Sequence, residues 1–354
     1  MKKNKYISFD WWWGGWNNIR MTYELVGSLS YVSGRTIILP PKGYCLFFAE
    51  HNNKESFFDI WDILDKKKFT AQYDCIEYKD SPLAKYESKD QYFENICDDI
   101  NCITFGDEPK NWGPQNFIAN GLMFHSIENN EHFNTFNCDK RKLYNIYSED
   151  EIIHFPRNLF GHFGYHVYPP NEIARKILQQ KVKLGVQIKN KFFVEANNLI
   201  SGDYDALHIR RGDFKYVHTS LVEKQYKELL NLIGGRVRKN VPLYVATDEK
   251  DLSLFNDLKS EYNVVFLSDL KKDLQPIDMV LDMIISSKAN TFLGSKMSTF
   301  SDYINILRGY NNKKDFSRES INFKHNNLIY KKYPWEAEPY AWHNLWGELY
   351  YGEI

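Results

Sequence analysis

The chain opens on a short apolar stretch, Tyr6–Phe9, broken by Gly14 and Gly15. From Asn18 to Ser33, apolar residues recur at three- and four-residue steps: Ile19, Tyr23, Val26, Leu29 and Val32. That spacing predicts a helix, with Gly34 as its stop. Thr36–Leu39 reads as a buried strand ended by Pro40 and Pro41. Strand, helix and strand form a βαβ unit, the crossover that parallel strands require. Residues 42–170 are polar, aromatic and rich in Asn and Asp, with weak periodicity; they predict an irregular remainder of a first domain. Pro169 and Pro170 mark a boundary, and a helix over 171–199 leads into the second domain. There the pattern sharpens. Strands over 205–210, 243–247, 264–267 and 291–294 alternate with helices over 221–233, 252–262, 276–287 and 299–307. Such alternation predicts a doubly wound parallel sheet, which binds ligands at the carboxyl ends of its strands. The tail from Tyr330, with Trp335, Trp342 and Trp346, is expected to pack back across the domains. The predicted layout is therefore 1–170, 171–329 and 330–354.

Charge removes one class of function. The 45 basic and 46 acidic residues leave a net charge of −1, which argues against a nucleic-acid binder working through a basic field. Aromatic residues make up 16% of the chain. That excludes a disordered chain and leaves two readings, heavy core packing or aromatic-lined clefts for bases and sugars. The amino end, MKKNKYISFD, lacks the apolar core of a signal peptide. No run of about 18 apolar residues predicts a membrane span. The five cysteines are odd in number, form no CxxC and all precede residue 139, against a disulfide framework or zinc knuckle. No Asn begins an N-x-Ser/Thr acceptor site. Together these predict a cytoplasmic protein.

Three segments carry candidate chemistry. His208-Ile209-Arg210-Arg211-Gly212-Asp213 ends a predicted strand. Alternation sends His208 and Arg210 to one face. Two adjacent guanidiniums there suit a diphosphate, since each fork grips two oxygens. The ordinary alternative is a structural Arg–Asp network. The second segment, Gly294–Ser301, turns a strand into a helix whose first amides favour an anion. Ser298 and Thr299 add hydroxyls, or simply cap the helix. The third, Gly14-Gly15-Trp16-Asn17-Asn18, is a glycine turn without the dinucleotide or P-loop spacing. Weaker signals are Thr247-Asp248 at a strand end, which would cap the next helix or face a nucleotide, and Asp282 among apolar helix residues, where a carboxylate needs a partner such as a guanine edge. Asp203-Tyr204-Asp205 spells D-x-D, but ahead of a strand. His154, His162 and His166 cluster without acidic or Cys ligands at metal spacing.

In order, these segments resemble the GDP-fucose protein O-fucosyltransferase family. The resemblance is carried by GGWNNIRMTYELVGSLSYVSGRTIILPP (Gly14–Pro41), LHIRRGDF (Leu207–Phe214), LYVATDE (Leu243–Glu249) and FLGSKMSTFSDYINILRG (Phe292–Gly309). The His-x-Arg-Arg segment is also close to that of α1,2-fucosyltransferases. The resemblance implies a GT-B-like fold, two Rossmann-like doubly wound domains with the active site between them. It implies an inverting, metal-independent transfer of fucose from GDP-fucose, with no other cofactor, to a Ser or Thr hydroxyl of a protein. A glycan acceptor and a catalytically silent GDP-sugar-binding protein are the alternatives. Arg210 matches the essential arginine that grips the β-phosphate. Asn17, with Gly15 and Trp16, matches the turn over the phosphates and reaction centre. His208, Arg211 and Asp213 match the rest of the arginine motif, Ser298, Thr299 and Phe300 the phosphate block, and Asp282 the acidic residue that reads guanine. Where some relatives have a glutamate as base, this chain has Gly14; Asp10 and Glu24 lie nearby in sequence.

Overall fold

A computed structural model describes residues 4–9, 15–40, 43–44, 57–86, 101–102, 151–155, 172–212, 226–227, 229–231, 233–295 and 298–310. Their contacts divide into two units, one ending at Ile188 and the other beginning at Lys189.

The first unit is built on a five-stranded sheet, all parallel: β1 (Tyr6–Phe9), β2 (Thr36–Leu39), β5 (Cys75–Glu77), β6 (Asn101–Cys102) and β7 (Ile152–Phe155). Its order is β5-β2-β1-β7-β6. Two short strands, β3 (Gly43–Tyr44) and β4 (Phe57–Phe58), pair separately as an antiparallel ribbon. Helix α1 (Trp16–Ser33) makes the crossover from β1 to β2 and stops at Gly34, whose φ of 66° is left-handed. A side chain would strain that conformation.

Aromatic residues fill this core. Tyr23 of α1 meets Phe9 edge-on at 5.1 Å, Trp61 at 5.2 Å and Phe69 at 5.7 Å. Phe69 lies on α2 (Lys66–Gln72) and also packs on Tyr73 at 4.9 Å. Tyr73 enters where two glycines make room. A Cβ on Gly27 would sit 2.7 Å from its ring, and one on Gly185 would sit 3.0 Å from it. The core-packing reading of the aromatic excess therefore holds for these residues.

Helix α3 (Glu172–Gly185) packs on α1 and α2, so it belongs to the first unit. The single helix expected over 171–199 is in fact two, α3 and α4 (Asn190–Leu199). Between them the chain extends: Gln187 accepts a hydrogen bond from the Asp65 amide at 2.8 Å, and Ile188 bridges Leu64. The division thus falls at 188/189, after α3, and not at 170.

The second unit has four parallel strands in the order β10-β9-β8-β11: β8 (Asp205–Ile209), β9 (Pro242–Thr247), β10 (Asn263–Val265) and β11 (Phe292–Leu293). All five residues of β8 are buried, as expected of a strand covered on both faces. On one face Leu207 and Ile209 pack with Leu229 and Ile233, from helical residues after 225. On the other lie α7 (Met279–Lys288) and α8 (Thr299–Tyr310), packed against each other. The Arg308 side chain donates to the carbonyls of Ala289, at 2.5 Å, and Asn290, at 2.9 Å. It thereby satisfies backbone groups just beyond the end of α7. Two shorter helices, α5 (Asn256–Glu261) and α6 (Leu267–Leu270), flank β10. The strand expected over 264–267 is therefore shorter and gives way to α6. The first strand of this unit, β8, lies between the second and the fourth. The β8/β11 seam is thus the switch point at which such sheets open a ligand crevice.

Candidate functional site at the carboxyl ends of the second sheet

His208 is the fourth residue of β8 and points to the α8 side. Its Nδ1 lies 2.6 Å from Ser301 Oγ, and its ring packs on Phe300 with centroids 4.6 Å apart. Burial, with the Arg210 guanidinium nearby, depresses its pKa to about 3. His208 is therefore a neutral imidazole at any physiological pH.

The strand exit is clamped from both neighbours. Ser295, just after β11, accepts from the Arg210 amide at 2.8 Å and donates to the His208 carbonyl at 2.9 Å. Asp248, just after β9, accepts from the amides of Arg211 and Gly212 through one oxygen, at 2.7 and 2.8 Å. A Cβ on Gly212 would lie 2.5 Å from that carboxylate, so only glycine permits the approach. Thr247 adds a hydroxyl bond to the Ile209 carbonyl at 2.7 Å. Expected to cap the following helix or face the nucleotide, Asp248 instead fixes the loop after β8. Asp251 caps that next helix, accepting from the Ser253 amide at 3.1 Å.

The two adjacent arginines part company here. Arg211 is buried, pairs with Glu249 at 3.2 Å and lies over the Tyr226 ring at 5.5 Å. Glu249 spends its other oxygen on the amides of Lys250 and Asp251. Arg211 thus belongs to the face of Leu207 and Ile209, and the structural network foreseen as the ordinary alternative describes it. Arg210 keeps partial exposure.

The block after β11 also divides. Ser298 is fully buried and accepts from the Ser301 amide at 3.5 Å, as an N-cap does. Thr299 and Phe300 keep partial exposure at the amino end of α8. Gly294 is required: a Cβ there would meet Ser301 Oγ at 2.7 Å. This close approach brings the first turn of α8 against β8.

Asp282 lies on α7 and accepts from the Tyr244 hydroxyl at 2.6 Å. Burial raises its pKa to about 7, with Asp278 adding to the rise and the Tyr244 bond opposing it. Its partner is thus a phenol of mid-strand β9. Tyr244 is level with Ala206, about 7 Å short of His208 along the sheet. The second Asp282 oxygen takes no hydrogen bond among the described residues.

The opposite ends of the strands explain the D-x-D spelling. Arg238 donates to Asp203 at 2.7 and 2.8 Å and to Asp205 at 2.8 and 3.1 Å. Burial alone would raise the Asp205 pKa. Bonds from the Arg238 side chain and amide, and from the Thr291 amide, hold it below the ordinary value. Both carboxylates are committed to a structural knot at the amino ends.

In the first unit, Gly15 precedes α1, and Trp16 and Asn17 form its buried first turn. Asn17 Oδ1 accepts from Arg20 Nε at 3.2 Å. Arg20 in turn is paired with Glu24, which is therefore a structural partner and not a candidate base. His154 is buried beside Ser8, with Nδ1 to Oγ at 3.1 Å. Asp213, Gly14, Asp10, His162, His166 and the tail from Tyr330 lie outside the described residues.

Ser295, Ser301, Glu249 and Arg20 were not singled out as site residues by sequence. All four lie inside the segments that carried the resemblance, yet short-range spelling does not reveal the partners of Glu249, Ser295 and Ser301, 38 to 93 residues away.

No helix among the described residues is long and apolar enough to cross a membrane. Comparison with curated protein sequences returns no match. Among solved structures, POFUT1 in complex with GDP-fucose is similar at 14% identity and a TM-score of 0.49, over 86% of this chain and 95% of that one. NodZ α-1,6-fucosyltransferase soaked with GDP-fucose is similar at 12% identity and a TM-score of 0.49, over 86% and 93%. NodZ from Bradyrhizobium is similar at 13% identity and a TM-score of 0.46, over 86% and 94%. The profile of the family described as GDP-fucose protein O-fucosyltransferase matches residues 6–311. That span runs from the first residue of β1 past the end of α8, and by it the chain belongs to the GDP-fucose protein O-fucosyltransferase family.

Proposed function

We propose that the protein transfers fucose from GDP-fucose to a Ser or Thr hydroxyl of a protein acceptor, with inversion and without a resident metal. One observation carries this reading: at the β8/β11 switch point, the strand exit bearing Arg210 is tied to the segment after β11 by Ser295 and to the first turn of α8 by the His208–Ser301 bond. As the bond between fucose C1 and the phosphate oxygen breaks, the sugar becomes oxocarbenium-like and GDP gains negative charge. The Arg210 guanidinium and the α8 amides are donors placed before that charge develops. Their backbone is clamped, so little reorganisation accompanies the step. Neutral His208 supplies shape and a hydrogen bond without adding charge. The open oxygen of Asp282 would accept from the guanine edge. The acceptor hydroxyl attacks C1 from the face opposite GDP and loses its proton to solvent or to a base outside the described residues.

A thermal-unfolding panel tests the donor. GDP and GDP-fucose should raise the unfolding midpoint, and UDP-sugars should not. Stabilisation by UDP-sugars alone would overturn the reading, and preference for GDP-mannose would replace the sugar. GDP release from GDP-fucose with Ser/Thr peptides against glycans then tests the acceptor, with glycan-only stimulation counting against the protein acceptor.

A further inference from the structure

Helix α3 of the first unit turns apolar side chains outward, where a surface helix ordinarily turns polar ones. At about 100° per residue, Ile173, Ile177 and Leu184 fall within about 40° of one another. They are 70%, 43% and 45% exposed. Leu178 and Val182, on the far side of the helix, are buried. The outward stripe runs about 16 Å along the axis, at about 1.5 Å per residue. Lysines border it on both flanks. Lys176 and Lys183 follow one edge, two turns apart. Lys181 follows the other, toward α2. Its ammonium donates to the Gln72 carbonyl at 2.7 Å and lies over the rings of Tyr31 and Tyr73, at 5.6 and 6.0 Å. Lys68 of α2 donates to Gln187 Oε1 at 2.6 Å, just past the end of α3, and its neighbour Lys67 is exposed. The hydrogen-bond acceptors of Lys68 and Lys181 carry no charge, so both positive charges remain.

We propose that this lysine-bordered face of α3 docks on an anionic lipid membrane. The aliphatic stripe enters the headgroup boundary, and the lysines meet the lipid phosphates and carboxylates while their stems cover apolar surface. Shape favours lipid over a protein partner. An outward helix face is a convex ridge, whereas a protein partner's anchor residue needs a pocket to fill. A fluid surface needs none. Charge disfavours a second copy of this chain, because a two-fold contact through α3 sets the lysines of one copy against those of the other. Such docking involves the first unit alone and does not depend on the transfer reaction.

Co-sedimentation of the full chain with vesicles tests this, using phosphatidylcholine alone against phosphatidylcholine containing about a third phosphatidylserine. The protein should partition onto the anionic vesicles and only weakly onto the neutral ones. Ile173→Ser with Ile177→Ser should weaken that partition on the order of tenfold, with little change in the unfolding midpoint, since both side chains are exposed. Lys67→Gln with Lys68→Gln should weaken it by about fivefold for each charge removed. Raising the salt from about 0.1 M to about 0.5 M should shrink the effect of the lysine pair and leave that of the isoleucine pair. Ile177→Trp gives a variant that gains: a Trp favours the membrane boundary, so partition should tighten. Absence of binding to anionic vesicles would overturn the proposal, and so would equal binding by the isoleucine variant. Self-association in sedimentation velocity that the isoleucine variant loses, without vesicle binding, would make the face a contact between copies. Binding to an acidic amphipathic peptide, again without vesicle binding, would replace the lipid with a protein.

Discussion

The two ends of the second unit's sheet hold similar residues and use them differently. At the amino ends Asp203, Asp205 and Arg238 form a knot in which the carboxylates and guanidinium satisfy one another, and the Thr291 amide completes Asp205. At the carboxyl ends the clamps fall on the backbone. Ser295 and Asp248 hold the amides of residues 210–212, and Glu249 absorbs Arg211. Arg210 itself stands on this fixed main chain. The contrast teaches that a cluster of charges is read by its position on the sheet: D-x-D before a parallel strand is architecture here, whereas H-x-R stands at the strand exit, the end where the proposed function puts its chemistry.

Arg210→Ala should break the carboxyl end most. GDP release from GDP-fucose should fall on the order of 10² or more, as for other preorganised donors, with a small change in the unfolding midpoint. Arg238→Ala should do the reverse. It strands the wholly buried Asp205 carboxylate, so the midpoint should drop by several degrees while turnover per folded molecule stays near wild type. Asp248→Ala lies between the two. It removes the acceptor of two backbone amides and should cost about 1–3 kcal/mol of stability in chemical denaturation, together with a smaller loss of turnover than Arg210→Ala.

Two further effects are in pH, and they have opposite signs. The folded chain refuses a proton at His208 until about pH 3, whereas the unfolded chain binds one near 6.5. This contribution to stability is present above 6.5 and is lost as pH falls from 6.5 toward 3. Asp282 keeps its proton up to about pH 7 when folded, and only to 3.8 when unfolded. Its contribution to stability is present below 3.8 and is lost as pH rises through 7. His208→Gln should flatten the first slope and Asp282→Asn the second, measured by denaturant unfolding across pH 4–8.

Periodicity made the βαβ opening and the strands β8, β9 and β11 legible, because each is a local pattern. It missed β5, β6 and β7, which lie in the stretch read as irregular and join the first sheet as short strands. The break at 186–189 was not legible, since it depends on Leu64 and Asp65 far up the chain. Among the site residues, His208 and Arg210 were readable as residues of a strand end. The pairing of Arg211 was not, because its partner Glu249 lies 38 residues on. Asp282 was rightly read as needing a partner, but the spelling does not reveal Tyr244. Ser298 shows the same limit: N-cap and phosphate hydroxyl look alike in sequence, and full burial with a bond to Ser301 marks the cap.

Hydrogen–deuterium exchange with and without GDP tests the contrast between the two ends most directly. Peptides covering 208–212 and 294–301 should gain protection on binding, and those covering 203–205, 238–240 and 289–291 should not. Protection at the amino ends, with none at 208–212 and 294–301, would contradict the account.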